Sequence, residues 1–152
     1  MIKLINDYNM IKRMLFGDKE LYDRISDDYT AKAEFNPFNY SWLGWFEGKI
    51  CKGLLQIHEE NAIVLVIHIN IMKKYRDNAF EIGNGLLRHL EKTCPERFVK
   101  INVKIPVIFP DVVRYAEKNG FVKEGTDRQS YKKNGKIIDR VMLGKFIERE
   151  DT

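Results

Sequence analysis

The spacing of apolar residues changes period several times along the chain, and each change marks an element. Residues 1–5 read as a short strand. Asn6 or Asp7 then caps a helix whose apolar positions Met10, Ile11, Met14 and Leu15 recur one turn apart, and Gly17 interrupts it. Asp18 stands ready to cap a second short helix carrying Leu21, Tyr22 and Ile25. Residues 26–37 read as a loop, with Asn36-Pro37 as its turn signal. Residues 40–48 are apolar on both faces, the pattern of a buried strand. Glu47-Gly48 turns this strand into the next, and Glu59-Glu60-Asn61 turns that one into residues 62–72. There Ile63, Leu65, Ile67, Ile69 and Ile71 share one face, while Ala62, Val64, Val66, His68 and Asn70 share the other.

After residues 73–78 the period becomes helical. Phe80, Gly83, Leu86, Leu87 and Leu90 fall on one stripe, and Asn78 and Glu81 have the spacing of a capping box. Residues 98–105 alternate again, with Val99, Ile101, Val103 and Ile105 inward. Pro110 suits the first position of a last helix, which Asn119-Gly120 stops. Two closing strands, residues 121–133 and 136–146, are joined by Asn134-Gly135, a strong hairpin signal. The order β-α-α-β-β-β-α-β-α-β-β predicts a single α/β domain, residues 1–152, built on a mixed sheet flanked by helices.

Composition excludes several classes. The 152 residues are 44% hydrophobic and 32% charged, ordinary for a globular protein with its own core. No apolar run approaches the roughly 20 residues needed to span a bilayer. Charges inside residues 1–15 argue against a secretory signal. Cys51 and Cys94 lie in unlike contexts without a CxxC motif, which excludes a disulfide scaffold and a zinc ribbon and points to a cytoplasmic setting. Cys51 reads as core. Residues 72–104 hold 8 basic and 4 acidic side chains and so carry the whole net charge of +4. Such a field attracts phosphates of a cofactor or a nucleic acid, or else belongs to a solvated helix face. No nucleic-acid-binding motif accompanies it.

Two stretches carry a resemblance. YAEKNGFVKEGTDRQSYKKNGKIIDRVMLG, residues 115–144, resembles the closing section of the GNAT superfamily of acyl-CoA-dependent N-acetyltransferases. IHINIMKKYRDNAFEIGNGLL, residues 67–87, resembles that family's strand-to-helix element, where glycines and backbone amides at a helix N-terminus cradle the coenzyme A pyrophosphate. The resemblance implies a mostly antiparallel sheet and acetyl-CoA as cofactor. It places the pantetheine arm along Ile69, Asn70 and Ile71, and the pyrophosphate on Arg76, Asp77, Asn78, Ala79, Phe80 and Glu81. Ala79 stands where the family has glycine and Glu81 where it has glycine or alanine; the first is a mild change, while Glu81 brings a carboxylate to the positive end of the helix. The family's thiolate-protonating tyrosine aligns with Ala116, one residue after Tyr115, and the asparagine that often opens this helix aligns with Phe109.

Amine acetylation needs a base, oxyanion donors and an acid. His68, on the Asn70 face and with an ordinary pKa near 6.5, is the candidate base. The alternative is a core histidine bonded within the sheet. Tyr115 is a further candidate catalytic residue, but it is turned about 100° around the helix from the aligned position and does not substitute directly, which leaves the acid unassigned; Tyr131 either reaches a substrate cleft or packs on its strand. His58 is expected near a turn and His89 on the surface. The three histidines lack metal-ligand spacing. The aromatic cluster Phe35, Phe38, Tyr40, Trp42, Trp45 and Phe46 is read as core with a covering loop, or as an acceptor-site wall. The expected partner is an amine, on a small molecule or a protein; no membrane is expected, and a homodimer is left open. The segments IHI before KKYR and IPVIFP before the last helix resemble proteins of tailed bacteriophages. This short likeness feeds the alternative to an acetyltransferase, a non-catalytic descendant kept for protein contacts in phage assembly or host takeover.

Overall fold

The computed structural model describes residues 1–29 and 35–149. Residues 30–34 of the expected loop and the last three of the chain lie outside the described residues. Strands are β1 (Ile2–Leu4), β2 (Ser41–Glu47), β3 (Ile50–Glu59), β4 (Val64–Ile71), β5 (Lys100–Pro106), β6 (Val122–Lys133) and β7 (Lys136–Phe146). Helices are α1 (Tyr8–Gly17), α2 (Lys19–Ile25), α3 (Ala79–Thr93) and α4 (Pro110–Lys118), with 3₁₀ turns at Pro37–Asn39 and Lys73–Asn78. The order of strands and α-helices is the predicted one. They form one seven-stranded sheet in the order β1-β2-β3-β4-β5-β7-β6. Every neighbouring pair is antiparallel except β4–β5.

Local chemistry sets most boundaries. Asp7 caps α1 by accepting from the Met10 amide at 3.0 Å. Asp18 caps α2 through the Leu21 amide at 3.0 Å, and its other oxygen accepts from the Lys73 amide at 3.0 Å. Asn134 and Gly135, at φ 53° and 77°, make the two-residue hairpin that registers Lys133 against Lys136. Gly125 lies at a register shift in β6.

The two faces of the sheet hold separate cores. Leu65, Ile67 and Ile71 of β4 pack with Leu86, Leu87 and Leu90 of α3 and Val113 and Ala116 of α4. On the opposite face Trp42, Phe46 and Leu54 pack with Ile11 and Leu15 of α1 and Leu21 of α2. Trp42, fully buried, donates its indole N–H to the Pro37 carbonyl at 2.8 Å. The aromatic cluster therefore is largely core, with Phe38 exposed at its rim. Cys51 is half-buried rather than fully internal, and burial pushes its thiol up to about 11.

Three apolar positions depart from the expected pattern. Ile63 and Val99 precede β4 and β5 and are about half exposed, at 49% and 48%. Phe80, in the first turn of α3, is 44% exposed, with the Lys118 ammonium 5.4 Å from its ring centre. All three sit where an element begins, so periodicity puts them inward while neither sheet nor helix covers them.

Candidate functional site: the splay between β4 and β5

The single parallel pairing is short. Val64, Leu65 and Val66 register with Lys100, Ile101 and Asn102, and the pairing stops there. β4 continues for five more residues paired only to β3, and β5 continues to Pro106 paired only to β7. The direction of the backbone groups in this wedge follows from their partners. The Ile63 carbonyl accepts from Val99, on the β5 side, whereas the Val64 carbonyl accepts from Glu60, on the β3 side. Backbone groups of successive strand residues alternate in direction. Ile69 and Ile71 therefore turn their amides and carbonyls toward the gap, where no residue of β5 is registered against them. The Ile71 carbonyl there accepts from Arg76 Nε at 3.4 Å.

Side chains from several strands line the α1/α2 face of the wedge. Asn70 is 2% exposed and its Nδ2 has no partner among the described residues; Asn102 Oδ1, on β5, is likewise unpartnered. His68, between them along the wedge, is exposed, so it is not the core histidine that the bland alternative foresaw. Desolvation by the protein around the groove, and then the charges of His58 and Arg140, press its pKa down to about 4. The imidazole is therefore neutral at pH 7. Arg140 donates to Ser130 Oγ at 2.9 Å and to Asp127 Oδ2 at 3.3 Å; Asp127 also accepts from Lys104 at 3.0 Å. His58 lies half-buried on the same face with its ring edge-on to Tyr40, and desolvation lowers its pKa. His89 is half-buried on α3, away from the wedge.

The last hairpin closes this face. Tyr131 donates to the Ser26 carbonyl at 3.0 Å, Lys133 donates to the carbonyls of Asp23 and Ser26, and Asp28 accepts from the amides of Asn134 and Gly135. Tyr131 thus serves as a clasp, and burial pushes its hydroxyl up to about 12.

The loop into α3 is more closed than its sequence suggests. Lys73–Asn78 form a 3₁₀ turn that runs directly into the helix, and the Ala79 amide donates to the Arg76 carbonyl. Asn78 consequently has φ −107° and ψ 20° and makes no side-chain cap, so the capping box expected from Asn78 and Glu81 does not form. Asp77, Asn78, Phe80 and Glu81 are exposed, and Ala79 is half-buried. Tyr115 donates to the Ala79 carbonyl at 2.6 Å, and burial pushes its pKa up to about 12. Its hydroxyl lies so close to Gly83 that a Cβ there would sit 1.7 Å away. Tyr115 thus ties α4 to the first turn of α3. Ala116 faces the core, and Phe109 lies under the Arg24 guanidinium at 5.7 Å.

Sequence reasoning missed one group altogether. Glu20 Oε1 accepts from Arg76 Nη1 at 2.5 Å and from Arg24 Nε at 3.0 Å, and Arg24 Nη1 reaches Asp111 Oδ2 at 2.7 Å. Only the Glu20–Arg24 spacing of one helical turn was legible in advance.

Among the described residues there is no cluster of metal-ligating side chains, and no helix is long and apolar enough to cross a membrane. No family model matches the chain, and no curated protein matches its sequence. Solved structures do match in shape. A spermidine N-acetyltransferase SpeG chimera from Vibrio cholerae and hSSAT superposes with a TM-score of 0.75 at 19% identity, covering 95% of each chain. RimL, a ribosomal alpha-N-protein acetyltransferase solved in complex with coenzyme A, gives 0.76 at 14% identity over 98% of this chain and 96% of its own. An N-acetyltransferase from Staphylococcus aureus gives 0.73 at 13% identity, covering 97% and 98%. With its splayed β4–β5 pair and these likenesses over nearly the whole length, the chain has the fold of the GNAT N-acetyltransferases.

Proposed function

We propose that the protein transfers an acetyl group from acetyl-CoA to an amine of a small molecule or a protein, in the cytoplasm. The observation that carries the proposal is the splay: a strand edge with the backbone of Ile69 and Ile71 turned into a gap that no other strand fills. Acetyl-CoA would supply the acetyl group already activated as a thioester. The residues present fit such a ligand. The backbone of residues 69–71 offers donors and acceptors for an amide-rich arm, and buried Asn70 holds an unused N–H donor beside it. Exposed Lys73 and Lys74, with Arg76 and the backbone of residues 77–81, gather positive charge where a diphosphate would lie.

His68 is the base in this proposal. A neutral imidazole open to water, on the face where an acceptor can approach, would take through a water molecule the proton that the acceptor nitrogen sheds as it is acetylated, when that nitrogen is far more acidic than a free ammonium. Tyr115 orients the loop through Ala79; to act as an acid it would first have to leave that carbonyl.

Thermal unfolding with and without acetyl-CoA tests the proposal. At about 100 times the dissociation constant, ligand binding adds about 2.7 kcal/mol, which raises Tm by roughly 5–10 °C for a chain of this size. Arg76→Glu should abolish the shift, and His68→Ala should keep it while lowering turnover about 10²-fold or more with an amine acceptor. The absence of any shift with wild-type protein would overturn the transferase reading and leave a scaffold for protein contacts.

A further inference from the structure

Arg76 and Asp111 follow the two strands that splay apart, β4 and β5 respectively, and α2 joins them. The chain of contacts Arg76–Glu20–Arg24–Asp111 therefore runs across the wide end of the wedge, with links of 2.5, 3.0 and 2.7 Å. Its centre is poorly satisfied. Both guanidinium groups share Glu20 Oε1, while Oε2 is buried with no partner among the described residues. A carboxylate with half of its accepting capacity unused is a weaker partner for Arg76 than an anion offering more oxygens. Asp18 adds a second tie between α2 and the loop, through the Lys73 amide.

We propose that Glu20 is an internal competitor for Arg76, closing the wedge as an ionic strap that the diphosphate of the coenzyme must displace. This rests on the acetyl-CoA reading above, and it makes Glu20 a positioning residue that lowers affinity. Glu20 and Arg76 are each about one-third exposed, so the competition is modest.

Isothermal titration with acetyl-CoA should show Glu20→Gln binding about two- to fivefold more tightly than wild type, the reach of a partly exposed ion pair. The gain should shrink only in part at high salt, because a partly buried pair in direct contact is screened less than separated surface charges. Glu81→Gln, which removes an exposed charge from the first turn of α3, should give only a gain that salt screens away. A double-mutant cycle of Glu20→Gln and Arg76→Gln in thermal unfolding, without coenzyme, reports the strap by itself. Coupling in the cycle together with tighter binding supports the competition. Zero coupling, or wild-type binding that Glu20→Gln leaves unchanged or weakens, overturns it and leaves the transferase reading standing. Binding by none of these proteins overturns both.

Discussion

Removing the Lys145 ammonium tests how this fold tolerates a buried charge. Glu91 on α3 is 2% exposed at its side chain and Lys145 on β7 is 8% exposed; they meet at 2.9 Å. The same Glu91 oxygen accepts from the Glu148 amide at 2.8 Å, while Oε1 has no partner among the described residues. Lys145→Met leaves a desolvated carboxylate with one amide for company. Breaking one side of a buried pair costs about 3–5 kcal/mol; the remaining amide argues for the lower end, about 3 kcal/mol. For a domain of this length that is a fall in Tm of roughly 6–12 °C. Adding Glu91→Leu should recover most of the loss, because two apolar side chains of similar volume need no partner. Urea and thermal unfolding of the three proteins measure this directly. A loss below about 1 kcal/mol for Lys145→Met, or a double variant no more stable than the single, would refute the argument.

Two further outcomes follow from the site. Alanine usually favours the middle of a helix over glycine by about 1 kcal/mol. Gly83→Ala should instead destabilise by about 1–3 kcal/mol, because its Cβ would meet the Tyr115 hydroxyl at 1.7 Å; in a Tyr115→Ala background the sign should reverse, as chemical denaturation would show. NMR titration should find the His68 imidazole protonating well below pH 6.5, toward 4. Between those values the unfolded chain holds more protons than the folded one, so this residue makes stability decline as pH drops through that window; a His68 pKa at or above 6.5 would contradict the crowded, electropositive groove.

Much of the architecture was legible because its determinants are local. Asp7 and Asp18 cap the helices assigned to them, and Asn134-Gly135 makes its hairpin. The alternation of residues 64–71 sorts the two cores and puts His68 and Asn70 on one face. What escaped depends on contacts distant in sequence. Whether His68 is core or open turns on where β5 leaves β4, and no periodicity encodes that point. The Glu20–Arg76 pair joins residues 56 positions apart, set by how α2 docks. The Asn78–Glu81 spacing misled because a 3₁₀ turn delivers Asn78 at φ −107° and ψ 20° instead of the extended conformation of a capping residue, which leaves its side chain out of capping position. Tyr115 was judged by its offset from a motif, whereas glycine at position 83 lets it dock on α3 instead.

The lone parallel contact of the sheet has a mechanical meaning. On one side lie four strands, on the other a ribbon of three, and among the described residues their backbones meet only at residues 63–66 and 99–102. The molecule is thus two stiff leaves on a narrow spine. Changing the angle between the leaves disturbs few ladder bonds, whereas bending either leaf would break many. Counted in backbone bonds, the sheet is therefore weakest along the line from which the groove opens, and the core that α3 and α4 share with both leaves holds it there.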